Sequence, residues 1–181
     1  MRFPSLRFVC FSFAIFISSF TLTHAATQAT APSPQQGETA PAFTLPSQTG
    51  KPESLTQFRG KWIVLYFYPE DMTAGCTLEA HGFQRDANKF HAKNAIILGV
   101  SVDSVDSHKE FCAKEGLNIS LLSDAGRTVV QQYGSLNSRT NMANRNTFLI
   151  TPDGKISRVW LNVNPAHHSE EVLAAIDAAQ H

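Results

Sequence analysis

The chain has 181 residues, 43% of them hydrophobic, and its 15 basic residues balance 15 acidic ones, so the formal net charge is zero. A chain of this length is enough for one globular domain with a terminal extension. Because there is no excess of basic residues, the sequence offers no electrostatic footprint for nucleic acid, and we exclude nucleic-acid binding.

The first 25 residues have a different character from the rest of the chain. Arg2 and Arg7 precede an apolar run at residues 9–17, and small residues precede the point after Ala25. This pattern predicts a secretory signal peptide over residues 1–25, cleaved after Ala25. The protein would then be periplasmic or otherwise exported, without membrane association after cleavage. The alternative is an uncleaved anchor helix, but the apolar run is shorter than the roughly 20 residues that a membrane span needs.

Residues 26–36 are small, polar and proline-containing, which is typical of a flexible leader. We therefore place the globular domain at residues 37–181. Removal of residues 1–25 also removes Cys10 and leaves Cys76 and Cys112. Two cysteines are an even number, as expected of an exported protein in which cysteines pair.

From residue 37 onwards, β-type and helical patterns alternate. Apolar, β-branched and aromatic runs predict strands at 42–45, 62–68, 95–102, 119–122, 147–150 and 156–161. Helical spacing, capping residues and glycines predict helices at 76–92, 105–115 and 125–133, a last helix that His167 and His168 open, and a helical turn at 54–58. This order predicts an α/β domain with a central mixed sheet, parallel in its first half and antiparallel at the hairpin around 152–155.

Cys76 lies at the junction between the strand predicted at 62–68 and the following helix. Pro69 ends the strand, and a short loop containing Gly75 leads into the helical pattern. Open α/β sheets place their chemistry at the carboxyl ends of the strands. A helix N-terminus also offers free N–H groups and a partial positive charge, which favour a thiolate. A lone buried cysteine is more often a small apolar core residue, but this position favours a nucleophile.

The residues around Cys76 resemble the active-site signature of the peroxiredoxins. Pro69, Thr73 and Cys76 have the spacing Pro-x-x-x-Thr-x-x-Cys of that signature. The flanking residues 67–69 and 77–80 are similar to those of the peroxiredoxin Q, or bacterioferritin comigratory protein, branch. The resemblance extends over roughly residues 37–177, and further similar segments lie at residues 40–45, 99–104, 107–109, 121–124, 145–150 and 152–156.

The resemblance implies a thioredoxin-like fold with helices on both faces of the sheet. It also implies a thiol-dependent peroxidase that reduces hydrogen peroxide and organic hydroperoxides without a cofactor or a metal. Cys76 is then the peroxidatic cysteine, which attacks one peroxide oxygen and becomes a sulfenic acid. The other residues expected at the site are Pro69, Thr73, Gly75, Glu79 and Arg145.

Three of these residues have plainer interpretations when the signature is left aside. Thr73 could be a loop hydroxyl bonded to nearby backbone, and Arg145 could be a solvated cation at the start of a strand. Glu79, like Glu70 and Asp71, could be an acid that is favourable near a helix N-terminus. These alternatives stay open from the residues alone.

The chain departs from many members of the branch five residues after Cys76. Many members carry the resolving cysteine at that position, whereas this chain has His81, which we interpret as a surface histidine. Cys112 lies on the helix predicted at 105–115, as in a subset of the branch. The resemblance thus implies a Cys76–Cys112 disulfide during turnover, which requires Cα atoms within about 7 Å. The alternative is an inert Cys112 and an external thiol that reduces Cys76.

The partner implied by the resemblance is a thioredoxin-like reductant of the same compartment, and the implied state is a monomer. Two other functions remain possible from the residues. A thiol–disulfide exchanger on the same fold is disfavoured because the chain has no Cys-x-x-Cys motif. A binding or structural protein with a permanent Cys76–Cys112 disulfide would fit an oxidising compartment, and its disulfide would resist reduction.

Overall fold

A five-stranded sheet forms the centre of the protein in a computed structural model that describes residues 32–180. The predicted signal peptide lies outside the described residues. The strands are β1 (Thr44–Pro46), β2 (Pro52–Ser54), β3 (Trp62–Phe67), β4 (Ala95–Ser101), β5 (Ser120–Ser123), β6 (Asn146–Ile150) and β7 (Ile156–Trp160). The helices are α1 (Ala74–Ala92), α2 (Val105–Glu115), α3 (Thr128–Gln132) and α4 (His168–Gln180), with a 3-10 turn at Leu55–Phe58.

The sheet has the strand order β5-β4-β3-β6-β7. Strands β3, β4 and β5 are parallel, whereas β6 is antiparallel to β3, and β7 is antiparallel to β6. The predicted mixed sheet is therefore confirmed. Strands β1 and β2 form a separate antiparallel ribbon. The sequence did not predict β2, because its three residues, Pro-Glu-Ser, carry no apolar pattern.

Helices cover both faces of the sheet, as predicted. Alternation along β3 directs Tyr66 to one face and Phe67 to the other. Helices α1, α2 and α4 pack on the face of Tyr66, and α3 and the N-terminal segment pack on the face of Phe67. Because every residue of β3 is buried, this strand is a continuous apolar run. Cys76 of α1 and Cys112 of α2 therefore lie on the same side of the sheet.

A glycine in β4 makes room for the ring of Tyr66. A Cβ atom at Gly99 would lie 2.6 Å from the Cζ and hydroxyl atoms of Tyr66 and 2.8 Å from Leu121 Cδ2. These contacts are too short for any side chain, so only glycine fits. The ring of Tyr66 in turn stacks on Tyr68, with 5.5 Å between ring centroids. This packing fixes the end of β3, from which the loop before Cys76 begins.

Helix α3 is shorter than the predicted helix at 125–133. The carboxylate of Asp124 accepts hydrogen bonds from the backbone N–H groups of Thr128, at 3.1 Å, and Val130, at 2.7 Å. Arg127, which directly precedes Thr128, has a φ of 60°, in the left-handed region that a right-handed helix excludes. The helix therefore begins only after this turn, at Thr128.

The N-terminal and C-terminal ends of the described chain lie at the end of the sheet opposite Cys76. The backbone N–H of Gly37 donates to the carbonyl of Ile156, at 2.8 Å, beside the β6–β7 hairpin. Pro34 is buried, so the docked chain begins within the predicted leader. Asp177 in the last turn of α4 pairs with Lys93, which follows α1. Within residues 32–180, no helix is long and apolar enough to cross a membrane.

Candidate active site around Cys76

Cys76 lies in the first turn of α1, beyond the carboxyl end of β3, and only 2% of its surface is exposed. The N–H of Thr77 donates to the carbonyl of Thr73, at 2.9 Å. This is the bond that opens the helix, so the N–H groups of Gly75 and Cys76 have no helical partner. These donors and the positive end of the helix dipole lie at the end of α1 that carries Cys76, where they favour negative charge.

Arg145 brings a cation to the sulfur of Cys76. Residue 146 at the start of β6 pairs with Phe67 at the end of β3, so Arg145 lies beside the loop that follows β3. Its Nη2 atom donates to Cys76 Sγ at 3.3 Å, and its Nη1 atom donates to the carboxylate of Glu79. The guanidinium thus holds the sulfur and the carboxylate with two nitrogens of one rigid fork.

Glu79 is the buried partner of Arg145. Its side chain has no exposed surface, and its Oε1 atom has no hydrogen-bond partner among the described residues. Burial raises the pKa of Glu79 to about 7, while the charge and hydrogen bond of Arg145 oppose the rise. The structure therefore brings together Cys76, Glu79 and Arg145.

Gly75 leaves the space that Arg145 occupies. A Cβ atom at position 75 would lie 3.2 Å from Arg145 Nη2, which is tighter than a comfortable contact. Any side chain at this position would press the guanidinium away from its place across the start of α1. Pro69, at the other end of the loop, is half-buried, and it has no N–H group to donate to the sulfur or to a ligand.

The hydroxyl of Thr73 donates to the carbonyl of Glu70 at 3.0 Å. This is the plain loop bond that the sequence left open as an alternative. The bond uses the hydroxyl proton, and the oxygen lone pairs remain able to accept a hydrogen bond from a ligand. The structure therefore places Thr73 at the entry to α1 as an acceptor, and not as a donor toward the sulfur.

Cys112 is half-buried on α2 at the edge of the same core, and both Cys76 and Cys112 are free thiols in this structure. Burial raises the pKa of Cys112 to about 11, and the charge of Asp71 adds to the rise. Helices α1 and α2 are linked near this point, where His81 Nε2 lies 3.0 Å from Glu115 Oε2. His81 is half exposed, as a surface histidine.

Asp71 lies in the loop before α1, as the sequence predicts, but the sequence did not show that it is buried. Its carboxylate accepts hydrogen bonds from Tyr68, Ser107 and His108. Its α2 partners lie more than 30 residues away in the chain. No local pattern in the sequence could have revealed them.

This chain is similar to known proteins over most of its length. Residues 36–159 match the AhpC/TSA family. A putative peroxiredoxin Bcp of Coxiella burnetii is 40% identical over 146 residues, which are 77% of this chain and 97% of the relative. The peroxiredoxin Bcp of Escherichia coli K12 is 36% identical over 143 residues, covering 76% of this chain and 92% of the relative.

Solved structures show the same relationship. A PrxQ mutant from Xylella fastidiosa has a TM-score of 0.78 and 33% identity, covering 82% of this chain and 98% of its own. The bacterioferritin comigratory protein of Xanthomonas campestris has a TM-score of 0.73 and 34% identity, covering 77% of this chain and 92% of its own. The chain therefore belongs to the AhpC/TSA peroxiredoxins, in the Bcp or peroxiredoxin Q branch, and it is a thiol peroxidase with a thioredoxin fold.

Proposed function

We propose that Cys76 is the peroxidatic cysteine and that it reduces hydrogen peroxide and organic hydroperoxides. The observation that carries this proposal is the buried sulfur at a helix N-terminus, 3.3 Å from Arg145 Nη2. The thiolate attacks one peroxide oxygen, and the O–O bond breaks. The other oxygen leaves as hydroxide or alkoxide and takes up a proton, while the sulfur becomes a sulfenic acid. The alkyl peroxide reduction activity of the Xanthomonas relative supports the second class of substrate.

Ionisation of a thiol does not by itself explain fast peroxide reduction. A thiol whose pKa falls from about 8.5 to about 6 changes from about 3% to about 90% thiolate at pH 7, a gain of roughly 30-fold. Its nucleophilicity falls at the same time, by about 10- to 18-fold for a Brønsted slope near 0.4–0.5. The net gain is only about two- to threefold, so the site must supply the rest through geometry and charge.

The remaining acceleration comes from groups that hold the peroxide and stabilise the leaving oxygen. Arg145 and the free N–H groups of Gly75 and Cys76 are donors fixed before the reaction, which is the arrangement that lowers a barrier most effectively. The Thr73 oxygen can accept a hydrogen bond from the peroxide O–H, because its own hydroxyl donates to the Glu70 carbonyl. Together these groups would direct the peroxide in line with the sulfur.

Cys112 completes the cycle in this proposal. Its thiolate attacks the sulfur of the Cys76 sulfenic acid, the S–S bond forms as the S–O bond breaks, and the oxygen leaves as hydroxide, which takes up the proton lost by the Cys112 thiol to become water. Burial raises the pKa of Cys112 to about 11, so the thiol is protonated while α2 remains in place. Resolution therefore needs local opening near Cys112, which exposes and ionises the thiol. Opening of helix ends is a motion of low free-energy cost. A thioredoxin-like reductant then reduces the disulfide by thiol exchange.

We expect Cys112→Ser to block resolution while Cys76 still reacts with peroxide. One equivalent of hydrogen peroxide should convert the reduced wild type to an intramolecular disulfide, detected by mass spectrometry after thiol alkylation. The variant should instead accumulate Cys76 sulfenic acid, and excess peroxide should drive it to sulfinic acid. A stable sulfenic acid with free Cys112 in the wild type would contradict the assigned role of Cys112.

We also propose that the protein is exported, that its reductant shares the exported compartment, and that it is a monomer. The charge and apolar pattern of residues 1–25 support export. When the full chain is expressed in a bacterial host, we expect a periplasmic protein whose mass corresponds to a first residue at Ala26. Light scattering should give the mass of one chain. A cytoplasmic protein that retains residues 1–25 would contradict the export proposal.

A further inference from the structure

A buried hydrogen-bond network joins the loop before Cys76 to the helix that carries Cys112. The Asp71 carboxylate accepts from the Tyr68 hydroxyl at 2.7 Å, from the Ser107 hydroxyl at 2.7 Å and from His108 Nδ1 at 2.8 Å. Asp71 belongs to the loop between β3 and α1, whereas Ser107 and His108 belong to the first turns of α2. A single carboxylate thus fastens the two elements together.

The charge and burial of this network make it strong. His108 has no exposed surface, and only 3% of the Asp71 side chain is exposed. Burial alone would raise the pKa of Asp71, but its hydrogen bonds and the charge of His108 lower it overall, so the acceptor is a carboxylate at neutral pH. Hydrogen bonds to a buried carboxylate are stronger than neutral ones. Release of α2 from the loop must break them.

The backbone of the loop depends on the same anchor. The N–H of Asp71 donates to Asp103 Oδ2 at 3.0 Å, which fastens the loop to the β4–α2 connection as well. The next residue, Met72, has a φ of 58°, a left-handed conformation that is unfavourable for a side chain of this size. The anchor at Asp71 therefore holds the strained turn that leads to Thr73 and the start of α1.

His108 and Cys112 are four residues apart and lie on the same side of α2. Movement of Cys112 toward Cys76 therefore displaces the part of α2 that His108 fastens to the loop. His108 Nε2 has no partner among the described residues, so the only hydrogen bonds of this ring in the described part of the chain are made by Nδ1, with Asp71 and Tyr68. Loss of the Asp71 bond would leave the longer 3.3 Å contact with the Tyr68 hydroxyl as the hydrogen bond of this ring in the described part of the chain.

We propose that Asp71 and His108 are positioning residues that hold the peroxide-reactive arrangement of Cys76 and must separate before Cys112 can form the disulfide. The pair acts on both steps of turnover with opposite sign: it favours attack on peroxide and opposes resolution. This inference rests on the proposed function, since it assumes that Cys76 and Cys112 react in that order.

The test compares the purified wild type with His108→Leu, which removes the donor, and His108→Asn, whose amide nitrogen can replace Nδ1. Reduced protein is mixed with hydrogen peroxide in a stopped-flow instrument, and tryptophan fluorescence follows the reaction. The peroxide-dependent phase reports attack by Cys76, and the peroxide-independent phase reports disulfide formation. Acid-quenched samples, alkylated and weighed by mass spectrometry, assign the phases.

We expect His108→Leu to accelerate disulfide formation about tenfold, because loss of one hydrogen bond to a charged group enlarges the open population by that order. Attack on peroxide should slow by no more than about twofold, because the closed state still predominates. The sulfinic acid formed at a fixed excess of peroxide should fall in parallel, since the sulfenic acid lives for a shorter time. His108→Asn should restore both rates toward those of the wild type.

Two further variants keep the test decisive. Ser107→Ala removes another donor to Asp71, from a side chain that is less buried than that of His108. This variant should also form the disulfide faster and attack peroxide slightly more slowly, so it provides the test if His108→Leu fails to fold. Val130→Ala opens a cavity on the opposite face of the sheet and serves as the control for general loss of stability. If Val130→Ala produced the same opposed changes, the specific role of the network would be refuted.

Other outcomes separate this inference from the proposed function. A wild type that forms its disulfide, beside His108→Leu and Ser107→Ala variants with unchanged or uniformly slower steps, would overturn only the positioning role. A wild type that forms no disulfide at all would overturn the proposed function of Cys112. It would also overturn the inference that Asp71 and His108 must separate before the disulfide forms.

Discussion

Substitution of Cys76 by serine is expected to abolish peroxide consumption. A serine hydroxyl stays protonated at neutral pH, and oxygen cannot form the counterpart of a sulfenic acid. The rate should fall by at least about 10³-fold, the scale seen when a covalent nucleophile is removed. The measurement is peroxide consumption with dithiothreitol as the reductant, because this small thiol replaces the protein partner.

Cys112→Ser is the matched control for this experiment, since it removes the same atom from α2. With dithiothreitol present, it should consume peroxide initially and then lose activity as Cys76 becomes overoxidised. Near-UV circular dichroism should show that both variants keep the wild-type fold. Peroxide consumption by Cys76→Ser at close to the wild-type rate would assign the reaction to another residue and contradict the proposal.

Removal of the Arg145 guanidinium is expected to lower the second-order rate constant for peroxide by about 10²–10³-fold. This is the loss found when one fixed donor to a developing negative charge is removed from an active site. Arg145→Met keeps the length of the side chain but leaves no donor at the sulfur. Arg145→Lys should recover only part of the rate, because one ammonium group cannot hold Cys76 and Glu79 as the fork does.

Arg145→Met should also change how the free energy of unfolding depends on pH. The pKa of Glu79 is raised from 4.5 to about 7 in the folded protein, although Arg145 opposes the rise. Loss of Arg145 should raise it further. Between the unfolded and folded pKa values the native state binds more protons than the unfolded state, so stability falls as pH rises. The unfolding midpoint of Arg145→Met in urea should therefore drop below that of the wild type by more at pH 8 than at pH 5.

Arg158→Met provides a control for the loss of one positive charge. Arg158 lies on the neighbouring strand β7, where its guanidinium is 4.9 Å from the ring centroid of Trp160. We expect this variant to react with peroxide at close to the wild-type rate. If Arg145→Met and Arg158→Met slowed the reaction equally, net charge would explain the effect, and the contact with Cys76 would not.

The sequence predicted the part of the site that depends on local order. A buried strand, a proline, a glycine and then helical spacing are contiguous, so the location of Cys76 at a helix N-terminus follows from the pattern alone. Arg145 is 69 residues from Cys76. The link between them came from the family signature, since helical and strand periodicity contain no information on which strands are neighbours.

The sequence could not predict the features that tertiary contacts decide. Asp71 and His108 meet only because β3 and β4 are adjacent and parallel, which brings the loop after one strand to the helix after the next. The late start of α3 has a local cause that helical periodicity does not show, since the Asp124 carboxylate accepts hydrogen bonds from the N–H groups of Thr128 and Val130, in the first turn of α3. In both cases a carboxylate forms hydrogen bonds that strand and helix periodicity do not indicate.

The two ends of the described chain give the molecule a polarity. Residues 34–37 dock beside the β6–β7 hairpin, and the end of α4 pairs with Lys93 after α1, so both ends leave from the pole opposite Cys76. A partner or a surface attached next to residue 34 or residue 180 would join the protein at that pole. The start of α1, which carries Cys76, would then point away from the attachment. Immobilised protein should therefore leave this face accessible to peroxide and reductant.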